Sequence, residues 1–272
     1  MLVLNMLLST ARSAMRLDLT HYLAHLGNTY LLILAVGAFS IPASAQSTGS
    51  DGIVVEDFQS TAVGELPSNW GHAQRSGTLE PMERHMDENQ KFYVTEEDGK
   101  KFLRGESRGE AIRMSLAANG EQGGIRWDLN EYPRLRWTWR AQKLPEGARE
   151  DRNSLNDTGA ALYVTFETNW LGLPRSIKYT YSSTLPVGTV VSFTNLRVIV
   201  VASGQDGNVG EWVTIERDVV EDYDSVFGRS APDVPIGISL WTDSTETGSE
   251  SKADFGKIEI RPQIQRPDHH SR

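Results

Sequence analysis

The chain has 272 residues, a net charge of −9 and 39% apolar residues, with seven Trp, eight Tyr and eight Phe, enough for one sizeable core. The acidic balance argues against nucleic acid or an anionic membrane as partner. The absence of cysteine removes disulfides, thiolate metal sites, cysteine nucleophiles and lipobox acylation together.

The first element is a run from Thr29 to Ile41, TYLLILAVGAFSI, which carries no charge and precedes Pro42, Ala43, Ser44, Ala45 and Gln46. A short apolar run before a small-x-small site reads as a secretory signal cleaved after Ala45, since a membrane span needs about 20 apolar residues. The segment before the run is long for such a signal, and a start at Met15 gives a more ordinary one. The expected product is exported, periplasmic or secreted, with no stable membrane insertion after cleavage, and monomeric. Residues 46–52 read as a flexible leader, 53–261 as one folded domain and 262–272 as a Pro-containing flexible tail.

Within the domain the hydrophobic period is two almost everywhere. In RLRWTWR, Leu135, Trp137 and Trp139 point one way while Arg134, Arg136, Thr138 and Arg140 point the other. Leu162, Val164 and Phe166 alternate in the same way with Ala161, Tyr163, Thr165 and Glu167, and Ile177, Tyr179 and Tyr181 alternate with Lys178, Thr180 and Ser182. Further strands are expected at 53–58, 92–96, 101–106, 111–116, 124–129, 189–193, 197–202, 211–217, 236–242 and 253–260, with Asp98-Gly99 as a hairpin turn. One helix is expected from Asp218 to Phe227, capped by Asp218 with Glu221 three residues on and closed by Gly228. About a dozen strands with one short helix predict an all-β fold, an antiparallel β-sandwich of jelly-roll type.

If the three alternating strands pair in sequence order, the face opposite the tryptophans collects Arg136, Arg140, Tyr163, Glu167, Lys178 and Thr180, with Trp241 and Asp243 nearby. Rings, guanidinium forks and carboxylates on one curved face suit a polysaccharide, because rings stack on sugar C–H faces and forks hold hydroxyls or carboxylates. The plainer reading is a solvated sheet face with cross-strand ion pairs. The segment WTDSTETGSESKADF loosely follows calcium-loop spacing, which makes Asp243, Glu246 and Asp254 candidate ligands for Ca2+, helped by Glu56 and Asp57. Glu167, Glu216 and Asp243 could supply the carboxylate pair of a glycosidase. There is no GxSxG elbow, HExxH or phosphate loop, and no catalytic residue is assigned.

The segments YPRLRWTWR, GAALYVTF, IKYTYSSTLPVGTV, EWVTIERDVVEDYDSVFG and ISLWTDSTETGSESKADFGKI occur in this order from Tyr132 to Ile260. The order resembles the bacterial DUF3047 family, whose members carry a PxLxWxWR strand, an RDVxxDYxxxFG helix and a TDxxxTGxxxxAxxGxI close. EDFQSTAVGELPSNW is a looser match near the start. Asn156 and Ala161 stand where the family pattern has an acidic residue and an arginine, which implies an altered site if that arginine serves one. The resemblance implies an exported β-sandwich akin to galactose-binding-like or concanavalin-like domains, and through them carbohydrate binding. Three readings follow: a non-catalytic glycan-binding domain, a polysaccharide hydrolase or lyase using paired carboxylates, and a structural envelope protein.

Overall fold

The tryptophans of RLRWTWR set the architecture. In the computed structural model, which describes residues 52–264 apart from 75, 76 and 170, Leu135, Trp137 and Trp139 are buried against Ile177, Tyr179 and Tyr181 of a strand in the opposite sheet. Ring centroids lie 5.4 Å apart for Trp137 and Tyr179 and 6.2 Å apart for Trp139 and Tyr181. Trp137 meets Trp139 edge-on at 5.4 Å, the arrangement that the ring quadrupole favours.

Strands are numbered β1 to β14 along the chain. The first sheet has the order β12 (Val213–Asp218), β7 (Arg134–Lys143), β14 (Glu250–Arg261), β5 (Lys100–Arg108) and β4 (Gln90–Glu97), with β1 (Ile53–Glu56) also pairing with β14. The second has the order β10 (Val190–Ser192), β11 (Leu196–Ser203), β9 (Pro174–Ser182), β8 (Thr158–Thr168), β13 (Gly237–Asp243) and β6 (Ala111–Ala117). A small hairpin joins β2 (His72–Ala73) to β3 (Leu79–Glu80). The fold is the expected β-sandwich, antiparallel throughout except where β11 runs parallel to β9. The expected signal sequence and most of the expected leader and tail lie outside the described residues.

Two local expectations hold in atomic detail. Asp98 and Gly99 both take positive φ, 51° and 73°, as a two-residue hairpin loop requires. Helix α1 (Val219–Phe227) starts at Asp218, whose Oδ1 accepts from the backbone N–H groups of Val220 and Glu221 at 3.2 and 3.0 Å. It ends at Gly228, whose φ of 66° lets its N–H reach the Asp224 carbonyl.

Two others do not hold. Residues 124–129 form no strand: Trp127 and Leu129 are buried, but their N–H groups bond to separate chain segments, at Ala118 and Asp233, and no continuous ladder forms. The alternating strands also do not pair in sequence order. β8 pairs with β9 and β13, whereas β7 pairs with β12 and β14 in the other sheet. Burying both ring sets against each other demands this, and it turns the polar faces of β7 and β8 away from one another.

The outer face of the first sheet is locked by Asp254. Its carboxylate is fully buried and accepts from Arg104 (2.6 and 3.0 Å), Arg140 Nε (2.9 Å) and Gln142 (2.9 Å). Trp212 lies over the Arg140 guanidinium at 4.8 Å. Removing one partner of a buried charge group leaves the others uncompensated, so Asp254→Ala is expected to lower stability by about 3 kcal/mol in urea unfolding. An unchanged denaturation midpoint would show that the group contributes nothing net.

Candidate functional site

The second sheet presents a different outer face. Arg113 on β6, Trp241 on β13, Tyr163 on β8 and Lys178 on β9 form a row across four strands. Arg113 faces Trp241 directly in register, while Tyr163 lies opposite Ser239 and so diagonal to Trp241. The Arg113 guanidinium lies 4.9 Å from the Trp241 ring centre, the two rings stack at 5.1 Å and 28°, and Lys178 Nζ is 6.0 Å from the Tyr163 ring. The row is thus a cation, two rings and a cation. Both rings are half-buried, and burial pushes the Tyr163 hydroxyl above its ordinary value.

The two ends of this row differ. Lys178 is 2% exposed, and its charge bears on Asp243, itself only 9% exposed. The connection from β7 to β8 covers the rest of β9's outer side, where the fully buried Glu150 accepts from Thr180 at 2.9 Å and Ser182 at 2.6 Å. Arg113, by contrast, lines open space. One cavity of about 400 Å³ is bounded by His72, Arg84, His85, Asp87, Arg113 and Trp241. A second, of about 260 Å³, has Ser115, Thr165 and Ser239 on its floor and again Arg113 on its wall.

The β2–β3 hairpin walls both cavities, with His72 in the first and Ala73, Gln74 and Leu79 in the second. Gly71 holds it to β6 through paired backbone bonds with Ser115 of 2.9 and 2.7 Å. A Cβ at Gly71 would fall 2.6 Å from the Glu80 carbonyl oxygen, so the close approach needs glycine. His72 and His85 stack in the first cavity at 3.8 Å, and burial, with the neighbouring His85 and Arg113 charges, holds His72 below its ordinary value.

Three carboxylates gather at the far end of β13, where Asp157, Asp243 and Glu246 offer oxygens within 4.8 Å of one another. Asp157 accepts from the backbone N–H groups of Glu246 (3.0 Å) and Thr247 (2.8 Å), and Asp243 accepts from Thr245. A hydrogen bond to Asp157, then burial, then the Asp243 charge push Glu246 up to about 7. Burial works to raise Asp157, but its hydrogen bonds from Glu246 and Thr247 outweigh this and hold it low. Asp157 and Glu246 therefore share the proton that Glu246 keeps toward neutrality, and once it is lost the three carboxylates present the hard oxygens that Ca2+ takes.

Of the residues singled out in the sequence, Tyr163, Lys178, Trp241 and Asp243 come together here. Arg136 and Arg140 do not, because β7 belongs to the first sheet: Arg136 faces Glu216 at 3.9 Å and Arg140 holds Asp254 and Glu97. Arg136 instead lines a groove of about 540 Å³ on that sheet, among Lys257, Glu259 and Arg261, where Lys257 pairs with Glu259 at 2.7 Å. Glu167 sits at the other end of β8, bonded to Tyr223 at 2.7 Å and to Arg175. In the proposed metal set Asp243 and Glu246 do meet, but Asp254 is held in the first sheet and Asp157 takes its place. Glu56 and Asp57 also lie apart from the cluster, with Glu56 accepting from Asp57, Phe58 and Trp70. Sequence reasoning missed Arg113 and Asp157. Their signal was register: Arg113 is on the outward phase of its strand, and Asp157 immediately precedes β8.

The family described as "Protein of unknown function (DUF3047)" matches residues 78–259. The chain belongs to this family. The match spans the row and the carboxylates, and Ala161, where the family pattern noted above has an arginine, lies directly across from Trp241. No curated protein matches the sequence. Similar solved structures include the CBM22-1 xylan-binding domain from Paenibacillus barcinonensis Xyn10C, at 13% identity over 78% of this chain and 95% of that one, with a TM-score of 0.36. An arabinose-bound MgGH51 α-L-arabinofuranosidase is similar at 14% identity over 80% of this chain and 27% of the enzyme, TM-score 0.38. An exo-β-agarase is similar at 15% identity over 81% of this chain and 26% of the enzyme, TM-score 0.35. With TM-scores below 0.5, these likenesses carry no argument about ligand or activity.

The proton on Glu246 makes stability depend on pH. Glu246 binds its proton more tightly folded than unfolded, so its contribution is complete below its ordinary 4.5 and lost as pH rises through about 7. Asp243, raised by burial, acts in the same sense, while Asp157, held low, contributes above its ordinary 3.8 and loses that contribution only as pH falls below it. In chelator, the melting temperature is expected to fall between pH 5 and 8. The decline should be shallower in Glu246→Gln, which keeps a hydrogen-bond donor without titrating, and Ca2+ should restore the wild type at pH 8. Parallel curves for the two proteins would contradict the shared proton, and no response to Ca2+ would remove the cation.

Proposed function

We propose that the domain is a non-catalytic glycan-binding module of an exported protein, and that it holds a saccharide in the cleft on the outer face of the second sheet. The observation that carries this reading is the Trp241 ring on the cavity wall, stacked on Tyr163 and flanked by Arg113 and Lys178. With its faces against Tyr163 and Arg113, the Trp241 ring presents an apolar edge to the cavity for a sugar's C–H groups, and the Ser115, Thr165 and Ser239 hydroxyls on the adjoining floor suit its hydroxyl groups. The first sheet's groove lacks an aromatic pair flanked by cations, and ion pairs engage its Arg136 and Lys257.

Binding is favoured over hydrolysis by the spacing of the carboxylates. Retaining glycosidases separate theirs by about 5–5.5 Å and inverting ones by about 6.5–9.5 Å, which leaves room for a glycosidic bond. Asp157 and Glu246 are hydrogen-bonded to each other, and Asp157 also binds the backbone of the β13–β14 loop at Glu246 and Thr247, an arrangement that fastens that loop to the start of β8. A purely structural envelope protein has no need of a walled cleft.

Isothermal titration against a broad polysaccharide panel is expected to find a ligand whose affinity drops at least tenfold, about 1.4 kcal/mol, in Trp241→Ala and is unchanged in Arg136→Ala on the opposite sheet. Absence of binding across the panel would overturn the reading. Export rests on the Thr29 to Ile41 run and the Ala45 site. Residues 1–60 fused to alkaline phosphatase are expected to give periplasmic activity, and a cytoplasmic fusion would refute export.

A further inference from the structure

We infer that the saccharide this cleft takes is an acidic one, and that its anionic substituent sits in the cavity against Arg113. This rests on the glycan-binding reading and adds the ligand's charge and the residue that reads it. Arg113 is the feature that requires explanation. Its guanidinium carries five N–H donors, yet among the described residues it makes no hydrogen bond or ion pair, and its one close contact is the face of Trp241. A ring face attracts a guanidinium without accepting its in-plane N–H groups, so those edges stay available to the two cavities that Arg113 borders.

The acidic groups nearby do not neutralise it: Glu121, on the wall of the second cavity, is exposed and forms no ion pair with Arg113, and the others are engaged elsewhere. Asp87, on the same cavity wall, accepts from the backbone of Asn89 at 2.8 Å and Gln90 at 3.0 Å. Glu80 holds His85 at 3.2 Å and Gln74 at 3.0 Å. Asp243 faces Lys178 at the other end of the row. Burial depresses the Arg113 pKa, so the fold keeps a partly desolvated cation with no carboxylate of its own beside it. Arg84 adds a second positive charge to the cavity rim.

A planar guanidinium with free edges is matched bidentately by a carboxylate and also by a sulfate or phosphate ester, so the shared chemistry is a negatively charged sugar substituent. The neighbouring edge of the Trp241 ring would give the same residue an apolar contact. Recognition then reads charge and ring together, and a neutral glycan would meet the ring alone.

The test is binding of the full exported domain to three groups of polymers at fixed ionic strength: neutral (xylan, agarose, galactomannan), uronate (polygalacturonate, alginate) and sulfated (dextran sulfate, carrageenan). Tighter binding of one anionic group, lost at least tenfold in Arg113→Gln and recovered in Arg113→Lys, supports the proposal and names the substituent. Because Arg113→Lys keeps the charge, it also covers the case in which Arg113→Gln fails to fold. Neutral and anionic polymers bound equally, with Arg113→Gln affecting both alike, would overturn the acidic ligand and leave glycan binding standing. No binding by any polymer would overturn glycan binding itself.

Discussion

The apposition of Trp137 and Trp139 with Tyr179 and Tyr181 is the contact on which the rest depends. Four large rings must be buried, and a single sheet cannot bury them against itself. They become a core only when β7 and β9 lie in opposite layers. Strand alternation then fixes the other half of each strand's residues without further choice. Once the rings point inward, Arg136 and Arg140 must lie on the outer side of one sheet, and Tyr163 and Lys178 on the outer side of the other.

The two outer faces solve the same electrostatic problem differently. On the first sheet, the fully buried Asp254 draws Arg104, Arg140 and Gln142 around itself, and Glu97 and Trp212 complete the arrangement. The charges gathered around Asp254 have partners within the fold, which holds that part of the face rigid and leaves little there for a ligand to gain. The second face is satisfied only at its Lys178 end. At the Arg113 end, the ring contact positions the cation but does not neutralise it.

The periods along the chain made most of the fold legible. β4 to β9, β13, β14 and the capped helix all follow from alternation and end signals visible in the residues themselves. Pairing was not legible, because period two says which residues share a side of a strand and nothing about which strand lies next. That one missing fact misplaced Arg136 and Arg140 and hid Arg113, whose strand joins the site only through β13. Residues 124–129 show the converse limit. Trp127 and Leu129 are buried as alternation predicts, yet their backbone partners are scattered, so the pattern of burial survives without a strand. The Asp254 assignment erred for a related reason: spacing placed it in a loop with Asp243, while its strand turns it into a different sheet.

The chain's charge of −9 bears on how an acidic ligand could reach such a site. At physiological ionic strength, screening confines electrostatic influence to about 8 Å, so the overall negative field fades before it can repel a polymer segment at the cleft mouth. Within that range the groups that count are those on the cavity wall. There Arg113 and Arg84 stand against Asp87, with His72 held toward its neutral form. Glu80, bonded to His85 beside that wall, brings the carboxylates to two, so the wall is balanced rather than acidic like the chain as a whole. A net charge well away from zero favours solubility. The cleft can still hold the one anionic group whose sugar ring fits against Trp241 closely enough to meet the free edge of Arg113.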